Sequence, residues 1–167
     1  MHTTPDAAFS AQSKHGGAKV GFPPPLVFLG LLCAGVALQR WLLPIDFPIP
    51  YVPRLITGAL TALAGLMMVM SARISFWRTG QDPKPWRPSP ELLVVGIYRH
   101  TRNPMYLGIT LFQLGLGIAL DNVWIAGFAP LALVIVHFLA VRPEEAYLTE
   151  KFGESYLRYR ASVRRYL

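Results

Sequence analysis

Cysteine is almost missing from this chain of 167 residues: Cys33 stands alone. One thiol excludes an intramolecular disulfide and a cysteine metal cluster, and inside an apolar block it serves as small hydrophobic filler. Charge is also scarce. Charged residues make up 15% of the chain, with only nine acidic against sixteen basic, which is not the composition of an ordinary soluble domain. No Gly-x-Gly-x-x-Gly dinucleotide fingerprint occurs. The four histidines include no pair at metal-ligand spacing, so no metal is expected. Residues 1–22 lack the form of a secretory signal, because the first apolar block is too long and too late for a signal core. They read as a disordered cytoplasmic tail ahead of one domain over residues 23–167.

What is present is apolar. Hydrophobic residues reach 53%, and they are gathered into four blocks, over 26–43, 55–74, 105–120 and 123–141, that read as membrane spans. The expected fold is therefore all-α, a polytopic membrane helix bundle. Pro23, Pro24 and Pro25 precede the first block, where a missing backbone donor does no harm. The second carries Gly58 with Ala62 and Thr61 with Gly65, small residues four apart that allow close helix approach in lipid. The third is short and glycine-rich through Gly108, Gly115 and Gly117. Only Asp121 and Asn122 separate it from the fourth, so the last two blocks form a tight antiparallel hairpin.

With four spans, the N-terminal tail, the 75–104 loop and the C-terminal segment 142–167 share one side. That side holds every Lys and Arg except Arg40 and Arg54, so both termini are expected in the cytoplasm. The net charge of +7 is thus spread along loops at an anionic membrane surface. It does not form one patch for nucleic acid, and no nucleic-acid partner is expected.

Two segments carry chemistry. The first runs Gly96-Ile97-Tyr98-Arg99-His100-Thr101-Arg102-Asn103-Pro104-Met105-Tyr106-Leu107-Gly108. Asn103 suits a helix cap and Pro104 the first helical position. The helix start offers backbone donors to a carboxylate, with Arg99, His100 and Arg102 adding cations and Tyr98 and Tyr106 aromatic faces. An interfacial anchor would have the same composition. The second is Arg142-Pro143-Glu144-Glu145, just past the fourth block. Paired glutamates there are either exposed salt-bridge partners of little energetic consequence or receptors for a cationic ligand. Arg142 and the glutamates together would offer both signs of charge to an amino-acid headgroup. Leu148, Phe152, Tyr156, Tyr159 and Val163 then mark an amphipathic helix broken at Gly153, either a membrane-surface anchor or a lid over the loop. His137, inside the fourth block, reads as a neutral hydrogen-bonded histidine.

These elements resemble the isoprenylcysteine carboxyl methyltransferase and phospholipid methyltransferase superfamily. Its pattern is Gly-x-Tyr-Arg, then Arg-(His/Asn)-Pro-x-Tyr-x-Gly, a hydrophobic hairpin, Glu-Glu, and Phe-Gly-x-x-Tyr-x-x-Tyr. Here these read Gly96-Ile97-Tyr98-Arg99, Arg102-Asn103-Pro104-Met105-Tyr106-Leu107-Gly108, Glu144-Glu145 and Phe152-Gly153-Glu154-Ser155-Tyr156-Leu157-Arg158-Tyr159. Carboxyl methyltransferases of the superfamily usually carry His at the position of Asn103, whereas the phospholipid enzymes tend to carry Asn-Pro-Met-Tyr. The usual Gly-Pro-Tyr is Gly96-Ile97-Tyr98 here.

The resemblance implies S-adenosylmethionine as cofactor, in a pocket at the cytoplasmic interface. Tyr98, His100, Arg102, Asn103, Pro104, Tyr106 and Gly108 would line one side and Glu144 and Glu145 the other. Arg102 would take the methionine carboxylate, and Glu145, helped by Glu144, the ammonium or ribose hydroxyls. The acceptor would be a lipophile entering from the bilayer. Arg99 or Arg142 would orient a carboxylate head, or a glutamate or His100 would deprotonate an amine. Two other classes fit the hydropathy alone: a membrane reductase acting on sterol or isoprenoid substrates, and a non-enzymatic membrane subunit that docks a partner.

Overall fold

In the computed structural model, Ala18 and residues 20–21, 23–82, 84, 87 and 89–166 are described. The expected tail lies outside them, apart from Ala18, Val20 and Gly21. Among the described residues the regular structure is entirely helical. Helix α1 spans Pro25–Ala37 and continues in a π-type turn over Leu38–Leu42. Helix α2 spans Tyr51–Arg78, α3 Pro104–Ala119 and α4 Val123–Val136. A second π-type turn, His137–Val141, carries α4 without a break into α5, Arg142–Phe152, and α6 follows over Glu154–Ser162.

Three continuous helices, Pro25–Leu42, Tyr51–Arg78 and Val123–Phe152, are long and apolar enough to cross a membrane. They match the first, second and fourth expected spans, with the second longer at both ends and the last carried on past Val141. The third expected span is apolar but only 16 residues long. At 1.5 Å rise per residue it is about 24 Å, short of a hydrocarbon core of roughly 30 Å.

The shortness of α3 goes with how closely it packs. A Cβ on Gly65 would collide with the Phe112 amide and the Gly108 carbonyl, and one on Gly115 with the Ala62 amide and the Gly58 carbonyl. The small residues of the second block and the glycines of the third therefore face each other, backbone against backbone. The hairpin forms as expected. Asp121 takes the left-handed conformation (φ 58°), which aspartate tolerates better than most residues, and the Asn122 side chain caps α4 by accepting from the Ile125 amide at 2.9 Å.

The two ends of the bundle are then closed differently. At the end bearing the hairpin turn, Asp121 pairs with Arg54 and accepts from the Phe47 amide at 2.8 Å. Trp124 Nε1 donates to the Leu43 carbonyl at 2.7 Å. At the other end, Gly153 (φ 50°) breaks the chain between α5 and α6. Helix α6 folds back so that Tyr156, Tyr159 and Val163 are buried against Leu92, Val94, Leu148 and Phe152. Of the two placements open to the amphipathic helix, the chain adopts the one over the inner loop.

Candidate active site

The inner loop is held by its own sequence. Gly96 has positive φ, and a Cβ there would lie 2.7 Å from Ser75 Oγ, so the chain passes α2 closely before a single 3-10 turn over Gly96–Arg99. That turn buries Tyr98, whose ring meets Phe76 edge to face at 5.7 Å, and the Tyr98 carbonyl accepts from Tyr159 Oη at 2.6 Å.

Asn103 sits at the N-cap of α3, but its side chain does not cap the helix. Its amide Nδ2 instead donates to the Arg165 carbonyl at 3.2 Å. The cap expected from sequence is thus replaced by a tie to the C-terminal segment, which offers an acceptor that Asn can reach with its donor end. Pro104 occupies the first helical position, as expected.

Between this loop, the starts of α1 and α3, the end of α2 and helices α5 and α6 lies a cavity of about 280 Å³. Of the residues singled out from sequence, Tyr98, Arg102, Asn103, Tyr106, Glu144 and Glu145 line it. The others are elsewhere. Arg99 and His100 are exposed on the loop, and Arg142 is exposed with its guanidinium 5.7 Å from the Phe138 ring centroid. Pro104 and Gly108 are buried in helix packing, Gly108 against Gly65 and Val69. The lining also includes Pro23–Pro25, Arg73, Phe76, Leu92, Leu93, Met105 and Ile109, together with Tyr156 and Tyr159 from α6. The two tyrosines were legible as one face of an amphipathic stripe. Nothing in the sequence marked Arg73 as a wall of the site.

The two glutamates are used differently. Glu145 is buried and saturated. Arg165 donates to both of its oxygens, Nε to Oε1 at 3.0 Å and Nη2 to Oε2 at 2.8 Å, and Arg102 Nη1 lies 3.1 Å from Oε1. Arg102 Nη1 also donates to Tyr156 Oη at 3.4 Å. Glu144 accepts only a long hydrogen bond, from Tyr106 Oη at 3.4 Å. No cation among the described residues pairs with it.

These environments set the proton states. The continuous helix Val123–Phe152 has 30 residues, about 45 Å against a hydrocarbon core of roughly 30 Å, and its apolar block ends at Val141, so Glu144 lies past the apolar stretch. Burial pushes the Glu144 carboxyl up to about 7, opposed by the Tyr106 hydrogen bond and helped by the Glu145 charge. Burial, with the Glu144 charge next, holds the Tyr98 phenol well above its ordinary range. Tyr156 and Tyr159 are raised by burial as well. The tyrosine wall therefore remains neutral at physiological pH. No group of three or more His, Cys, Asp or Glu suited to a metal occurs among the described residues.

A helical membrane bundle with a cavity lined by tyrosines and both signs of charge is the class that fold and site define. Comparison with known families carries this further. The phospholipid methyltransferase family profile matches residues 53–155, most of the chain, and the protein belongs to that family. It is also similar to the protein-S-isoprenylcysteine O-methyltransferase of Schizosaccharomyces pombe, 39% identical over 80 residues. That stretch is 46% of this chain and 33% of the relative, so the chain matches about a third of that protein's length. The family match takes in Tyr98, Arg102, Asn103, Tyr106, Glu144 and Glu145, and it ends just before Tyr156, Tyr159 and Arg165.

Proposed function

We propose that this protein transfers a methyl group from S-adenosylmethionine to a lipophilic acceptor at the cytoplasmic membrane interface. One observation carries the reading: Glu144, a carboxylate in a tyrosine-walled, largely apolar cavity, pairs with no cation among the described residues. A half-buried carboxylate without a partner is costly, and a cationic ligand relieves that cost. The donor set fits a ligand that is itself cationic, zwitterionic at one end and aromatic at the other. The positive-inside distribution supports a cytoplasmic cavity and cytoplasmic termini, with α3 read as a fourth, short crossing.

S-adenosylmethionine, when bound, supplies an electrophilic sulfonium methyl. The chain's residues bind, orient and exclude water. Glu144 holds the ammonium, and the guanidinium of Arg102 faces the carboxylate. Tyr98, Tyr106 and Tyr156 form a neutral aromatic wall favourable to cationic character. Helix α6 roofs the site, so positioning proceeds away from bulk water.

The acceptor is either an isoprenylcysteine-like carboxylate or a phospholipid-like amine, its tail left in lipid beside Pro23–Pro25, Met105 and Ile109. A carboxylate head needs no base and is met by Arg73 on the cavity wall. An amine head must give up a proton, and with Glu144 engaged by the ammonium, His100 on the adjoining loop is the base that remains.

Calorimetry of S-adenosylhomocysteine with detergent-purified protein tests the reading. Binding to the wild type that weakens at least tenfold in Glu144→Gln supports it. Folded wild-type protein that binds neither S-adenosylmethionine nor S-adenosylhomocysteine refutes it.

A further inference from the structure

The last described residues form a strap. The Val163 side chain is buried beside Tyr156 and Tyr159. The Arg164 carbonyl accepts from the Arg102 amide at 3.0 Å. The Arg165 carbonyl accepts from Thr101 Oγ1 and from Asn103 Nδ2, both at 3.2 Å. Tyr166 Oη lies 2.9 Å from His137 Nδ1 on the π-type turn. The same strap presents the Arg165 guanidinium to both oxygens of Glu145. Three successive residues thus join the inner loop, the start of the π-type turn after α4 and the start of α5.

From this we infer that Arg165 is a positioning residue: through its fork on Glu145 the strap holds the inner loop against α5 and keeps Arg102 and Glu144 facing one cavity. The inference rests on the cofactor reading above and extends it to a segment beyond the stretch matched to the family.

The argument is one of geometry and charge. A bidentate guanidinium–carboxylate pair fixes distance and plane together. Glu145 carries one negative charge between two guanidinium groups, so Arg102 alone would leave the carboxylate free to turn. Glu145 and Glu144 are neighbours on one helix, about 100° apart, and fixing the first sets the direction of the second. The Arg165 side chain reaches the pocket through Glu145, for it is not itself in the cavity lining.

The test is a double-mutant cycle on the full chain in detergent, read by S-adenosylhomocysteine calorimetry and by hydrogen exchange without ligand. Arg165→Gln should weaken binding roughly tenfold, the usual scale for coupled contacts. Arg165→Lys should recover part of the loss, because it restores charge without the fork. In a Glu145→Gln background Arg165→Gln should change nothing further. Arg160→Gln, which removes the same charge from the exposed face of α6, should leave binding unchanged. Without ligand, Arg165→Gln should speed exchange of the Arg102 amide, the group bonded to the strap. Additive losses in the cycle, or binding and exchange both unchanged in Arg165→Gln, overturn the inference. If the wild type binds no S-adenosylhomocysteine while the Arg102 amide still opens in Arg165→Gln, the strap stands and the cofactor reading falls.

Discussion

Each end of this bundle has an arginine bonded to a carboxylate from another element, and one of the two ends also carries the cavity. At the hairpin end, Arg54 and Asp121 join α2 to the α3–α4 turn, and Asp121 also takes the Phe47 amide. The charges there are used up in tying short loops together. At the inner end the carboxylates on the cavity include an adjacent pair, Glu144 and Glu145. Glu145 does what Asp121 does, bonded by Arg102 and Arg165. Glu144 is the remainder, a carboxylate that among the described residues takes a long bond from Tyr106, pairs with no cation and faces the cavity. A structural ion pair and a binding site can share the same residue types, and a carboxylate left unpaired beside a cavity distinguishes them.

Removing Glu145 should have the largest effect. Glu145→Gln leaves the guanidinium of Arg102, 8% exposed, without its counter-charge, and breaking a buried pair costs about 3–5 kcal/mol. Thermal unfolding in detergent should show this loss, with S-adenosylhomocysteine binding weakened but still measurable. Gly65→Leu comes next, because it attacks the seam on which both ends hang. Its side chain would meet the backbone of Phe112 and Gly108, and overpacking of this kind costs roughly 1–3 kcal/mol. Both ends should loosen together in hydrogen exchange.

Glu144→Gln should separate the two functions of the inner end. Unfolding should be unchanged or slightly later, since an unpaired buried carboxyl is removed, while S-adenosylhomocysteine affinity falls about tenfold, near 1.4 kcal/mol. At the hairpin end, Asp121→Asn should cost about 1 kcal/mol and leave ligand affinity alone.

The smallest effect is one of pH. The Glu144 carboxyl, raised to about 7 in the folded protein, is protonated below that value and must ionise to pair with a cation. Affinity should therefore rise from pH 6 to 8 and flatten in Glu144→Gln. Stability should move the other way. The folded state binds the extra proton between the ordinary glutamate value and about 7, so stability from this group falls as pH rises through that window.

Much of the architecture was legible in the residues because hydropathy is long-range and forgiving. Four apolar blocks gave four helices, and Asp121-Asn122 gave the hairpin. The small residues of α2 and the glycines of α3 were each visible, but not that they meet, because packing partners are a tertiary fact. The stripe from Leu148 to Val163 fits a membrane surface or a protein surface equally well, and only the inner loop's apolar Leu92 and Val94 decide in favour of the protein.

At the site, six of the expected residues converge on one cavity. The assignment of Glu145 as ligand and Glu144 as helper is where the sequence is least informative. Adjacent helical residues point in different directions, and the π-type turn at His137–Val141 shifts the register just before them. Arg164 and Arg165 are likewise indistinguishable as letters, yet one is exposed and the other grips Glu145.

The most direct measurement is isothermal calorimetry of S-adenosylhomocysteine with wild type, Glu144→Gln and Asp121→Asn, all folded in the same detergent. The account predicts binding to the wild type and to Asp121→Asn with equal affinity, and a loss of at least tenfold in Glu144→Gln. Equal binding to all three, or none to the wild type, would contradict it.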